Sequence, residues 1–171
     1  TRKESSAASD VYKRQGMPEV QAAGLLAIMG IFDLFGTTAS GWLTDRYDPR
    51  KLLFVYYALR GLALIYLPYS DFSFYSLAIF AVFFGLDWIA TVPPTLRLAT
   101  EAFGDREAPI VFGWIVAGHQ LGAASAAWMA GLVRESQGSY LMAFVAAGAT
   151  GLIAAVIALL IGRERVVAQP A

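Results

Sequence analysis

The chain has 171 residues, 57% of them hydrophobic and only 15% charged, with a formal net charge of zero. Soluble domains carry about 25% charged residues, so the composition points to lipid as solvent, and the neutral balance excludes the basic footprint of a nucleic-acid binder. With no cysteine and a single histidine, a disulfide scaffold, thiolate chemistry and a multi-histidine metal centre are excluded; no metal and no cofactor is expected.

Residues 1–15 are polar and lack the apolar core of a signal peptide. They read as a non-native or disordered leader: Ser5 to Gln15 resembles translated adapter sequence, with a native cytoplasmic tail as the alternative. Membrane-like sequence begins at Gly16. A helix needs about 20 apolar residues to cross a bilayer core of about 30 Å. Val20 to Ser40 holds one charge, Asp33; Leu52 to Pro68 holds only Arg60; Phe72 to Pro93 holds only Asp87. Pro109 to Val133 holds His119 and no formal charge, and Tyr140 to Gly162 holds none. The expected fold is an all-α membrane protein with five transmembrane helices, near 18–40, 50–68, 71–93, 109–133 and 139–162, then a tail at 166–171.

Helix punctuation agrees with these spans. Pro18 before Glu19 and Pro109 after Glu107 suit helix starts, and Asp48 before Pro49 reads as an N-cap with proline at the first helical position. Ser70 or Asp71 can cap the third span and Ser139 the fifth. Pro93-Pro94 should interrupt the third helix and leave Thr95 to Phe103 as a separate cytoplasmic segment. Arg46, Arg50, Lys51, Arg97, Arg106, Arg163 and Arg165 fall on one side of the spans and only Arg134 on the other. The first side is therefore cytoplasmic, the chain ends there, and a cytoplasmic (inner) membrane of a bacterium is the expected location.

Between the first two spans lies Gly41-Trp42-Leu43-Thr44-Asp45-Arg46-Tyr47-Asp48-Pro49-Arg50-Lys51. It resembles the signature loop G-x-x-x-D-R-x-G-R-[RK] of the major facilitator superfamily. Gly41, Asp45, Arg46, Arg50 and Lys51 match, while Asp48-Pro49 stands where the family has one glycine. Physically, Gly41 would permit close helix approach, Asp45 would accept hydrogen bonds at a neighbouring helix N-terminus, and Arg46 and Arg50 would hold the loop inside. In that family the loop follows the second helix of each six-helix half. The resemblance therefore implies the eighth to twelfth helices of a partial carboxy-terminal bundle, partnered by seven missing amino-terminal helices.

A charge at a helix centre costs about 2.5–3.5 kcal/mol on insertion scales, so each one needs a reason. Asp33 shares a helical face with Gly30, Thr37 and Ser40. Its setting resembles that of monocarboxylate transporters, which carry an arginine where Thr37 stands here. Asp33, Thr37, Asp87, His119 and Gln120 are the candidates for the solute or proton path, set against structural roles for Asp33 and His119. Arg60, too deep to snorkel, is a candidate for charge pairing with Asp33 or Asp87. Arg97 and Glu101, four apart, can pair on one face and form an inward gate with Asp45 and Arg46. Gly118, Gly122 and Ala126 form a small-residue run for close packing. The resemblance implies a secondary active transporter that moves a small solute, an organic anion being the candidate, with a proton or an exchanged solute as driving force. It implies no enzyme activity; a membrane-embedded enzyme or a non-transporting scaffold or sensor is the alternative. No G-x-x-x-x-G-K-[ST] loop supports ATP-driven transport within this chain.

Overall fold

A computed structural model describes residues 19–162. The expected leader, Pro18, Arg163, Arg165 and the tail lie outside the described residues. The helices are α1 (Glu19–Thr44), α2 (Pro49–Tyr66), α3 (Phe74–Asp87), α4 (Val92–Gln137) and α5 (Leu141–Leu160), with a single 3-10 turn at Leu67–Tyr69. No strand occurs among the described residues. Four helical stretches are long and apolar enough to cross a membrane, and the third, Phe74–Gln137, is 64 residues long. At 1.5 Å per residue that is about 96 Å, three times a bilayer core, so it cannot be one crossing.

Two interruptions divide it. Gly104 stands at φ 77°, ψ 165° within α4, a region of backbone space open essentially only to glycine. Residues 74–103 and 105–137 therefore hold the third and fourth expected spans. The second part starts earlier than Pro109 suggests. Asp105 and Glu107 sit in its first turn, where the helix dipole favours carboxylates, and Pro109 forfeits only the bond to the Asp105 carbonyl. Replacing Gly104 by alanine forces a Cβ into that forbidden region. A loss of about 1–3 kcal/mol is expected, measurable as a lower thermal midpoint of the detergent-solubilised protein, whereas a substitution at neighbouring Phe103 that keeps its bulk should be silent.

The other interruption also differs from expectation. α3 ends at Asp87 and Trp88 to Thr91 form a turn, so the break precedes the two prolines, which occupy the first turn of α4. That is where proline costs least, because its missing N–H would be unpaired anyway. With 14 residues, α3 is about 21 Å long, too short to cross without the start of α4.

The caps follow local chemistry. The Asp48 carboxylate accepts from Arg50 N at 3.0 Å with Pro49 at the first helical position. Ser73, rather than Ser70 or Asp71, caps α3, its hydroxyl accepting from Ser76 N at 3.3 Å. Asp71 supports it by accepting from Ser73 N and Oγ at 3.1 and 2.9 Å. Ser139 Oγ accepts from Leu141 N at 3.1 Å at the start of α5.

Two helix pairs make the bulk of the packing, α2 with α5 and α1 with α3. Both rest on glycine, as expected where lipid offers no hydrophobic drive and backbones must approach. A Cβ on Gly36 would lie 2.0 Å from the Leu86 carbonyl oxygen, and one on Gly148 would lie 2.6 Å from that of Gly61. The glycines singled out from sequence are not these. Gly41, Gly118 and Gly122 have nothing within 4 Å of a notional Cβ; none mediates close approach among the described residues. Residues 113–129 of α4 are exposed throughout, because little of the described chain packs on that half of the helix. Tyr66, Tyr69, Phe72, Phe74 and Tyr75, around the junction of α2 and α3, are all exposed, as an interfacial belt requires.

Candidate functional site

Polar side chains of the first three spans converge on the break between α3 and α4. An interrupted helix at membrane depth frees backbone groups that hydrocarbon cannot satisfy, so other parts of the protein must. Trp88 N bonds the Gly85 carbonyl at 3.1 Å and Val92 N bonds that of Ile89 at 2.9 Å, each a three-residue closure. This shift strips Ile89 N and the Trp88 carbonyl of their ordinary helical partners.

Side chains from two other helices take their place. Asp33 Oδ1, on α1, accepts from Ile89 N at 3.1 Å, with Thr37 Oγ1 at 3.4 Å. Ser40, one further turn along and fully buried, donates to the Ala90 carbonyl. Arg60, on α2, donates through Nη2 to the carbonyls of Asp87 and of Trp88, the latter at 3.1 Å. Its Nε forms an ion pair with Asp87 Oδ2 at 2.7 Å, where Asp87 is only 3% exposed. Asp87 Oδ1 is buried without a hydrogen-bond partner among the described residues. The aromatic ring of Tyr57 lies 6.0 Å from the guanidinium.

Gly36 explains how these groups meet. It lies three residues after Asp33 and four before Ser40, on the same helical face. Its missing side chain lets the Leu86 carbonyl close on α1, which brings the break within hydrogen-bond reach of both polar residues. Sequence reasoning placed Asp33, Thr37 and Ser40 on one face but passed over Gly36. A glycine between two intramembrane polar residues was the available signal. Gly30, assigned to that face, is exposed with nothing within 4 Å of a notional Cβ.

His119 and Gln120 are not part of this cluster. Both are exposed on α4 and neither makes a hydrogen bond or ion pair among the described residues. The signature loop forms a second polar group. Arg46 stacks on the Trp42 ring at 3.9 Å and donates to the Trp42 carbonyl at 3.1 Å. Arg50 Nη1 donates to the Ile161 carbonyl at 2.9 Å, capping α5, while its Nε lies 3.3 Å from Asp48. Lys51 is exposed. Asp45 is also exposed and makes no hydrogen bond among the described residues; Asp48 does the helix capping assigned to it. Arg97 Nε lies 2.8 Å from Glu101. The Glu101 hydrogen bond and charge, with a smaller contribution from Asp45, hold the Arg97 guanidinium above its ordinary pKa.

A chain of apolar helices, with an ion pair between two of them and an arginine-rich loop between its first two helices, is a polytopic membrane protein. A sequence profile described as Major Facilitator Superfamily matches residues 5–171, and the chain belongs to that superfamily. It is 31% identical over 136 residues to monocarboxylate transporter 13 of Rattus norvegicus, covering 78% of this chain and 32% of that protein. It is 30% identical over 146 residues to monocarboxylate transporter 12 of Homo sapiens, covering 83% of this chain and 28% of that protein. The chain thus spans about a third of the length of these curated relatives. No solved structure matches it significantly.

Proposed function

We propose that the chain forms the last five crossings of a secondary transporter that moves a small organic anion by rocking of two helical bundles about a midplane site. The observation that carries this reading is the signature loop Gly41 to Lys51 joining two apolar helices in a chain of this superfamily. The similarity to proteins named monocarboxylate transporters supports a carboxylate solute. The basic residues Arg46, Arg50, Lys51, Arg97 and Arg106 support a cytoplasmic position for the signature loop, the 97–106 turn and the chain end. Seven preceding helices of the same protein are the proposed partner, and a proton the proposed coupling ion.

Asp33 and Asp87 are the proposed proton-path residues, and the geometry separates two roles for Asp33. Its Oδ1 accepts a backbone hydrogen bond that an asparagine oxygen can also accept, so Asp33→Asn removes the charge and spares the contact. The test uses the complete protein, expressed from the coding sequence together with its upstream region and reconstituted in liposomes. Uptake of radiolabelled short-chain monocarboxylates, lactate first, is expected above that of empty liposomes. An inward-directed proton gradient should accelerate it, and in Asp33→Asn that acceleration should disappear. Uptake indistinguishable from empty liposomes sinks the transport reading, and unchanged proton dependence in Asp33→Asn removes Asp33 from the coupling.

A further inference from the structure

We propose that Arg60 is a positioning residue that clamps the interrupted third crossing, and that its release from the carbonyls of Asp87 and Trp88 sets the rate of conformational exchange without contact to the solute. The inference rests on the transport reading for its functional half.

Three observations carry it. Arg60 makes more than an ion pair: one guanidinium holds the Asp87 carboxylate and two main-chain carbonyls at the last turn of α3. A planar fork with several fixed donors can do this, whereas an ammonium cannot reach all three acceptors in one geometry. Second, the hold comes from two sides. Arg60 on α2 takes the carbonyls of Asp87 and Trp88 at the entry to the break, while Asp33 and Ser40 on α1 take the Ile89 N–H and the Ala90 carbonyl further within it. Helix α3 is therefore tied to both neighbours at one level of the membrane. Any change in its tilt relative to α1 or α2 must break at least one tie. Third, the grip is incomplete. Asp87 Oδ1 is buried without a hydrogen-bond partner among the described residues, so the pair is not a closed, fully satisfied network of the kind that fixes a single arrangement. The break thus has the parts of a two-state element: a short stretch of irregular backbone, held by exchangeable side-chain bonds, between two rigid helices. Because Nε and Nη2 are occupied within the protein and the side chain is 20% exposed, Arg60 is placed to govern motion of the helix rather than to recognise a solute.

The test uses the complete protein, freed of any upstream cysteine, with Thr91→Cys as a reporter in the break; this chain contains no cysteine of its own. Arg60→Ala alone would strand a buried carboxylate, so the working variant is the double Arg60→Ala, Asp87→Ala, with Arg60→Lys as its companion. In proteoliposomes Arg60→Lys, which keeps the proposed proton-path residue Asp87, should bind lactate with a Kd within about threefold of the parent and transport it with a maximal rate altered severalfold, and the double variant serves the labelling comparison alone. A membrane-impermeant maleimide should label Thr91→Cys about fivefold faster in the double variant, and Arg60→Lys should fall between the two because it keeps charge and loses the fork. A raised Kd with an unchanged maximal rate overturns the proposal and makes Arg60 a binding residue. Labelling and transport that match the parent overturn it as well, as does an Arg60→Lys protein identical to the parent. Should the parent take up no lactate, the transport reading falls by itself, and the labelling comparison still decides whether Arg60 clamps the break.

Discussion

Replacing Asp87 by alanine while leaving Arg60 in place is expected to destabilise the protein by about 3–5 kcal/mol, the cost of breaking a buried pair from one side. The carboxylate is 3% exposed and its Oδ2 lies 2.7 Å from Arg60 Nε. Once it is gone, the guanidinium keeps two carbonyl acceptors but loses the charge that offsets its own desolvation. An unpaired charge within a membrane span is costly in its own right. Arg60→Met with Asp87→Leu removes both charges and is expected to recover much of the loss, since paired buried ions can often be exchanged for apolar residues of similar volume at little cost. The recovery should stop short of the parent. The carbonyl of buried Asp87 would then lose its donor, and an unmade buried bond costs about 1–3 kcal/mol. Thermal midpoints of the parent, Arg60→Met, Asp87→Leu and their double variant in one detergent form a double-variant cycle that measures the coupling of the pair. Additive losses would show that the two residues do not act as a pair.

How the sequence announced this arrangement is uneven, for physical reasons. The apolar runs were legible because their period and length reflect the solvent, and α2 and α5 begin and end within a few residues of expectation. Asp48-Pro49, a departure from the family loop, was legible as a cap because an N-cap is a local interaction between residues two apart. The helix break was legible only in kind. The prolines signalled an interruption, but its position depends on which carbonyls find donors, and those donors sit on α1 and α2. Asp33 illustrates the same limit. Its cost in lipid marked it as needing a partner, and the partner proved to be a main-chain N–H 56 residues away, which no side-chain pattern reveals. For Arg60, two partners were open from sequence, and only the packing of α2 beside the end of α3 selects Asp87. The glycines were least legible: all lie in similar apolar runs, and whether one faces a backbone or open space is a property of the pairing of helices.

Gly36→Ala is therefore expected to be far more damaging than a single methyl group suggests. A Cβ at this position would sit 2.0 Å from the Leu86 carbonyl oxygen, 2.6 Å from its carbon and 2.8 Å from its Cα. All three are main-chain atoms that no rotamer change can move, so α3 must withdraw from α1 by more than an ångström. Overpacking alone costs about 1–3 kcal/mol. The withdrawal also opens the exposed bond from Ile89 N to Asp33 and the buried bond from Ser40 to the Ala90 carbonyl, the second leaving a buried polar group unpaired at about 1–3 kcal/mol. A total loss of several kcal/mol follows, enough to unfold a marginal domain. Gly41→Ala lies on the same helix with nothing within 4 Å. It removes a helix-interior glycine at no steric cost to the described residues and should be neutral or stabilising by up to about 1 kcal/mol. The discriminating measurement is epistasis, since in Gly36→Ala the tie to Asp33 is already broken. Asp33→Ala should then add little to Gly36→Ala, although it is costly in the parent. Full additivity of the two losses would show that Gly36 and Asp33 act on α3 independently, and that the close approach of the helices does not position the break.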